Sequence, residues 1–167
     1  MGGHSFVWLG GAGSVDRKPR LMRDSAFNRQ REHYASSTRR KTWWEQEAIT
    51  DADVARTAAG GHADVIVAHD APTRVHTIAS RLRNNPGGFS RDDIEYANQV
   101  RAKYMEAFMV VEPTLALHGH YHFAVNESVD YGTFTTHVFG LANDGAPYST
   151  GELDLESLTP TFIAGRR

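Results

Sequence analysis

Two histidine-bearing segments of this sequence have the residue types and spacing of a metal site. Gly119-His120-Tyr121-His122 follows one apolar run, and His69-Asp70 follows another. Glycine permits a sharp backbone turn, so both imidazoles of the first segment can leave the same short loop. Neutral imidazole nitrogen binds Zn, Mn, Fe, Ni and Cu, and three imidazoles with water satisfy a tetrahedral ion. The pattern therefore predicts that His69, His120 and His122 meet around one divalent ion.

Composition limits the class of protein. The 167 residues suit one domain with a sizeable core, and 40% hydrophobic with 23% charged residues is ordinary for a globular chain. Eighteen basic and twenty acidic residues give a net charge of −2, so no overall basic field indicates nucleic-acid binding. Without cysteine, any metal must be held by histidine and oxygen. No apolar stretch has the length of a membrane span and no leader pattern is present, so we expect a cytoplasmic protein without a membrane partner.

The apolar patterning predicts the elements that must position these histidines. Strands are expected over residues 5–9, 64–68, 114–118, 123–129, 133–140 and 152–155, with a hairpin turn near 130–132. Helices are expected over 43–47, from 51 to the glycines at 60–61, and from the N-cap Ser90 to Pro113. This order is an α/β layered pattern, in which the carboxyl ends of neighbouring strands carry the functional site.

Residues 14–41 form a polar segment that we predict to be a long loop. From Arg17 to Lys41 it contains nine basic residues against two acidic ones. Such a segment is either a solvated surface or a wall for an anionic substrate.

The remaining histidines and the large aromatic residues have simpler expected roles. His118 precedes the glycine loop and should point the opposite way, as a core residue or a support for the ligands. We expect surface or packing positions for five histidines: His4, His33, His62, His76 and His137. Four aromatic residues are expected to be core residues that lack some of their covering: Trp8, Trp43, Trp44 and Phe139. The alternative for Trp43-Trp44 is a platform for a ligand.

In order and spacing, several segments together resemble the C-terminal half of a calcineurin-like metallophosphoesterase. They are residues 9–12 with 14–17, then 43–47, His69-Asp70-Ala71-Pro72 with its preceding strand, 112–122, 138–141 and 153–155. The resemblance implies an α/β fold, the C-terminal half of a four-layer α/β-β/α sandwich in which mixed sheets are flanked by helices. Residues 1–167 would then form a single partial domain of that kind.

The resemblance also implies a chemistry. In that family two metal ions clamp a phosphate ester and activate water for in-line attack. In the complete two-metal site that the resemblance implies, His69 and His120 would bind one ion and His122 the other. The ions would be Mn, Zn, Fe or Ni. The isolated chain is expected to hold at most one ion. Five further residues are candidates for supporting the ligands or binding phosphate: Asp70, Gly119, Tyr121, Arg17 and Asp16.

The first-half motifs of that family are not found in this sequence. They are Asp-x-His, Gly-Asp-x-x-Asp with the bridging carboxylate, and Gly-Asn-His-Asp/Glu, so no catalytic residue is assigned. We expect a hydrolase of phosphomonoesters or phosphodiesters, and nucleic acid is not excluded as a substrate. This hydrolase would need an N-terminal partner fragment or another copy of itself. The alternative is a catalytically silent remnant that binds a metal, a phosphate ligand or a protein.

Overall fold

A mixed five-stranded sheet is the centre of the fold. The computed structural model describes residues 3–32 and 40–163 of the chain. The strands are β1 (Phe6–Leu9), β2 (Val65–Ala68), β3 (Leu115–His118), β4 (Val125–Asp130), β5 (Thr135–Gly140), β6 (Gly151–Asp154) and β7 (Thr159–Phe162). The sheet has the order β1-β2-β3-β5-β4, parallel except for β4, and β6 and β7 form a separate antiparallel pair. The chain therefore has an α/β fold.

The helices begin and end at recognisable signals. They are α1 (Arg17–Glu32), α2 (Asp51–Ala59), α3 (His76–Leu82) and α4 (Arg91–Val111), with a 3₁₀ turn at Glu45–Glu47. Thr50 and Asp53 form a reciprocal capping box at the start of α2. Ser90 accepts from the backbone N–H of Asp93 at 3.2 Å and so caps α4. None of the helices in the described ranges is long and apolar enough to cross a membrane.

Alternate residues of each strand enter two different apolar clusters. Ile66, Ala116 and Val138 face the helices, where they join Tyr104 and Phe108 of α4 in the larger cluster. Their strand neighbours face the other way and pack under the β6–β7 pair: Val65, Leu115 and Phe139. The two-residue period of a strand produces this separation. Helices therefore cover one face of the sheet and the small hairpin covers part of the other.

Most of the predicted elements are confirmed, and one prediction is wrong. All six predicted strands are present within a few residues, and β4 and β5 form the predicted hairpin. The predicted loop over residues 14–41 is instead largely helix α1, while residues 33–39 lie outside the described part of the chain. This helix has no acidic residue in its first turn, although Asp16 stands directly before it, where an N-cap residue is expected. Helix α3 and strand β7 were not predicted.

The aromatic residues expected in the core divide into two groups. Phe139 is buried and stacks on Phe162 at a ring-centroid distance of 4.2 Å. Trp8 on the edge strand β1 is 60% exposed and Trp44 is 44% exposed, so neither is enclosed by the residues that the structure describes. Trp43 is partly buried and lies near the Arg17 guanidinium, 5.9 Å from ring centroid to Cζ.

Candidate functional site

The three predicted ligand histidines line one cleft at the carboxyl ends of the parallel strands. The cleft has a volume of about 640 Å³. Its strand-end side, the residues that directly follow β1, β2 and β3, consists of 11–13, 69–70 and 120–122. The rings of His69 and His120 are neighbours, with centroids 5.1 Å apart in an edge-to-face arrangement. The order of the strands therefore brings together histidines that are 51 residues apart in the sequence.

An unusual backbone shape places the histidines of the glycine loop. The N–H of Gly119 donates to the carbonyl of His69 at 3.3 Å, which joins the two strand ends. His120 and His122 then adopt φ of +65° and +61°, a left-handed conformation that side-chain-bearing residues rarely take. A Cβ on Gly119 would lie 3.6 Å from Nδ1 of His69, so the glycine leaves this space beside the ring. Such strained positions are often found at functional sites.

Burial lowers the pKa of His120, and the neighbouring His69 and His122 act in the same direction, whereas Asp70 opposes them. His120 is consequently neutral at pH 7, which is the form that binds metals. The backbone of Gly13, in the segment after β1, also opposes the shift and raises this pKa. His69 and His122 are both exposed.

Asp70 lies under the histidines as a buried carboxylate. It is 1% exposed, and its Oδ1 accepts from the N–H of Ala71 at 2.8 Å and from the hydroxyl of Tyr121 at 2.7 Å. Burial raises the pKa of the Tyr121 hydroxyl, and the Asp70 charge raises it further. Arg101 of α4 donates through Nε to the carbonyl of Ala71 at 2.9 Å and lies over the Tyr121 ring. These contacts make Asp70 and Tyr121 a support that fixes the strand-end side.

His118, at the end of β3, is buried, as predicted for a core or supporting residue. Its Nδ1–H donates to the carbonyl of Gly119 at 2.9 Å, and burial lowers its pKa to about 4. A Cβ on Gly140 would lie 2.3 Å from Cε1 of the ring, so only glycine gives His118 this room. The other histidines of the described ranges, His4, His62, His76 and His137, are not part of the cleft, and His33 lies outside those ranges.

Helices and loops form the second wall of the cleft, the helix-loop side. It comprises Asp16 and Arg20 of the α1 region, Gln46 and Glu47 of the 3₁₀ turn, residues 82–89 and part of α4. Nε of Arg20 lies 2.8 Å from Asp16, and Nη1 lies 3.8 Å from Glu47. Burial alone would raise the pKa of Asp16, but hydrogen bonds from Ser14 and Arg20 together with the Arg20 charge lower it. The cation of Arg20 is thus already neutralised.

Arg17, a predicted candidate for binding phosphate, lies outside the cleft. Its Cζ is 4.0 Å from the ring centroid of Tyr96, and Arg17 is not among the residues that line the cleft. The arginines that do line it, Arg20 and Arg101, were missed. The spacing of four between Asp16 and Arg20 would have indicated their pairing if residues 17–32 had been predicted as helix. Phe89 was also missed, although the Asn-Asn-Pro-Gly-Gly segment beside it was predicted to be a loop.

The structure brings the predicted ligands together without completing a metal centre. Throughout residues 3–32 and 40–163, no three His, Asp or Glu side chains are grouped closely enough to hold an ion. Binding of a metal by His69, His120 and His122 therefore stays a prediction. No family model matches the chain, and a search of curated proteins finds no match to it.

Proposed function

We propose that this chain is the histidine-bearing part of a metal-dependent phosphoesterase of the calcineurin-like type. One observation carries the proposal: His69 and His120, from the ends of two adjacent parallel strands, place their rings 5.1 Å apart in a cleft. Sites of α/β sheets form at this edge, and two adjacent imidazoles are typical metal ligands. Phosphate esters are the proposed substrates, and the carboxylate ligands come from outside the chain.

The donor set fits one ion better than two. His120 is neutral at pH 7 because burial lowers its pKa, so its nitrogen is ready for ligation. His122 is exposed, and rotation of its side chain toward His69 and His120 would supply the third imidazole. When bound, a divalent ion at these nitrogens would polarise a phosphoryl oxygen and lower the pKa of a water molecule. Asp70 and Tyr121 would hold the His69 and glycine-loop segments in place beneath it.

The finer fold assignment is part of the same proposal. In a four-layer sandwich, a second sheet packs on the face of the first that the helices leave free. The β6–β7 pair packs on that face here, around Phe139 and Leu158, which supports the assignment. Trp8, exposed on edge strand β1, extends the apolar surface next to it through a stack with Phe6. An N-terminal partner fragment or a second copy of the chain would bring the missing acidic ligands.

The carboxylates near the histidines already have hydrogen-bond or ion-pair partners, and this favours a second candidate function. Asp70 accepts two hydrogen bonds at Oδ1, and Asp16 is paired with Arg20. A bridge that used both oxygens of Asp70, or that used Asp16, would therefore have to replace these contacts. A domain with only the histidines would bind a single ion and a phosphate group without turnover, as an interaction module.

Metal titration tests the shared part of both candidates. We expect isothermal titration calorimetry with Zn²⁺ or Mn²⁺ to give at most one tightly bound ion per chain. His120→Ala should weaken it at least about 100-fold, since loss of even a supporting residue of a metal ligand commonly costs 10–100-fold. His76→Ala is the matched control, because His76 is exposed and lies outside the cleft. Equal affinity in the His120→Ala variant would overturn the proposed site.

Turnover separates the two candidates. We expect the purified chain with Mn²⁺ to hydrolyse bis(4-nitrophenyl) phosphate far more slowly than the same chain joined to a segment with the acidic motifs. The bridging carboxylate holds the second ion, and without it the attacking and leaving oxygens lose their shared clamp. Rapid turnover by the chain alone, abolished by His120→Ala, would show that a carboxylate of this chain supplies the bridge. No gain on addition of the acidic segment would favour the interaction module.

A further inference from the structure

Three apolar side chains line the cleft without belonging to the core. They are Leu82 at the end of α3, Phe89 just before α4 and Ile94 in its first turn, and we call them the apolar wall. Leu82 is 45% exposed and Phe89 is 37% exposed. Ile94 is partly buried, yet it is not among the residues that pack against either apolar cluster of the described ranges. Leu82 and Phe89 are too exposed to belong to the core, so all three present apolar surface to the cleft.

The loop that carries Phe89 is held in one shape. The side-chain amide of Asn85 donates to the carbonyl of Phe89 at 2.7 Å and accepts from its N–H at 3.0 Å. The Phe89 ring lies directly against Gly87, where an added Cβ would come within 2.2 Å of the ring atom Cε2. The left-handed φ of +50° at Asn85 completes the turn. The backbone that carries this exposed ring is thus held by hydrogen bonds, and the ring lies against Gly87 at the cleft. A backbone that is already ordered reduces the entropy lost when a ligand binds.

The same cleft also offers groups that suit an anion. Arg20 is neutralised by Asp16 and Glu47, but Arg101 donates only to the backbone carbonyls of Ala71 and Pro72 and has no carboxylate partner in the described part of the chain. The cleft of about 640 Å³ is in the range of small-molecule sites. It therefore combines imidazoles and a cation with a preformed apolar surface.

We propose that the cleft binds aryl phosphate esters, with the phosphoryl group at His69 and His120 and the aromatic ring against the apolar wall. The phosphoryl half of this inference rests on the proposed function, whereas the aromatic half rests on Phe89, Leu82 and Ile94. Aromatic pairs prefer offset or edge-to-face contacts and add to the gain from buried area. The exposed ring of Phe89 provides such a contact, and a small alkyl ester would not use it.

The test compares two phosphonates that the protein cannot hydrolyse. Calorimetry of the Zn²⁺-loaded chain should show phenylphosphonate binding about tenfold more tightly than methylphosphonate, the size expected for one aromatic contact. Phe89→Ala should remove most of this ratio while leaving methylphosphonate affinity unchanged. Gly87→Ala provides a second variant, because its methyl group displaces the Phe89 ring without deleting it. Trp8→Ala deletes an even more exposed aromatic side chain outside the cleft and should keep the full ratio.

The outcomes distinguish this inference from the proposed function. Equal affinities for the two phosphonates, or an unchanged ratio in both Phe89→Ala and Gly87→Ala, would overturn the aromatic subsite and leave the phosphoesterase proposal standing. A phenyl preference that persists without Zn²⁺ and in His120→Ala would support the apolar wall and overturn the metal-bound phosphoryl site. Absence of binding by either phosphonate to the Zn²⁺-loaded chain would overturn both.

Discussion

The two sides of the cleft are built in different ways. The strand-end side follows three neighbouring parallel strands, and its parts are joined by backbone and buried groups such as Asp70 with the Tyr121 hydroxyl. The helix-loop side is more exposed and is held by side-chain bonds, among them Arg20 with Asp16 and Asn85 with Phe89. The first therefore shares the stability of the sheet, whereas the second can change with little cost to the fold. In such a cleft the strands would hold the binding groups of the strand-end side in place, and the loops of the helix-loop side would adjust the ligand preference.

If this comparison is correct, the largest loss of stability should follow a change in the strand-end side. A Cβ at Gly13 would lie 2.4 Å from the Cα of Ala97, so loop and helix backbones would have to separate. We expect Gly13→Ala to lower the free energy of unfolding by about 3 kcal/mol, because backbone atoms cannot rotate out of the clash. Urea denaturation monitored by circular dichroism measures this. Gly10→Ala is the control, since nothing lies within 4 Å of its added Cβ and its stability should stay near the parent value.

A smaller loss on the same side should follow removal of one hydroxyl. Tyr121→Phe leaves Asp70 with only the Ala71 N–H among the donors that the described residues show for it. We expect the free energy of unfolding to fall by about 2 kcal/mol, the usual cost of leaving a buried polar group without its partner. Tyr148→Phe, at a residue that is 53% exposed, should change stability by less than about 0.5 kcal/mol. Equal effects of the two substitutions would mean that the Asp70 contact does not support the strand-end side.

The strand-end side could be predicted from sequence because its signals are local. Apolar runs ending at Ala68 and Leu117 indicate buried strands, and the histidines that follow them must then lie at the same edge of a parallel sheet. The pairing of Val65 with Leu115 in the register confirms that β2 and β3 are neighbours. Sequence did not indicate the positive φ of His120, which belongs to the loop that the N–H of Gly119 joins to the carbonyl of His69.

The helix-loop side could not be predicted because its contacts join distant residues of ordinary type. Helix α1 has few apolar residues and no acidic first turn, so its charge pattern resembled a loop. It is held instead by tertiary bonds, such as that from the N–H of Thr42 to Asp24 at 2.6 Å. Phe89 precedes an N-cap and follows a glycine pair, and no local pattern distinguishes such a residue from a core phenylalanine. Tertiary context decided both cases.

On the helix-loop side, loss of the Asn85 side chain should cost less stability but affect ligand preference. Asn85→Gly removes both hydrogen bonds to Phe89, and glycine tolerates the φ of +50°. We expect a loss of about 1 kcal/mol in the free energy of unfolding, together with a smaller phenyl-to-methyl phosphonate ratio. Asn84→Gly is a close control, because Asn84 has a similar φ of +63° but no side-chain hydrogen bond in the described structure. A phosphonate ratio that is the same in both variants would show that Asn85 does not position Phe89.

The smallest effect should come from the Asp16–Arg20 pair, and it should depend on pH. The pKa of Asp16 is below its ordinary value of 3.8 in the folded chain, so the pair stabilises the fold above that pH and the contribution disappears as pH falls through the lower, folded value. Because both side chains are about one-third exposed, we expect Asp16→Asn to cost less than about 1 kcal/mol at pH 7. The difference from the parent should shrink toward zero as the pH falls below 3.8. Asp144→Asn, in the exposed loop after β5, is the control for the loss at pH 7 and should stay near the parent stability. If Asp16→Asn lowered the free energy of unfolding at pH 7 as much as Gly13→Ala, the proposed difference between the two sides would be wrong. The helix-loop side would then also hold the fold together.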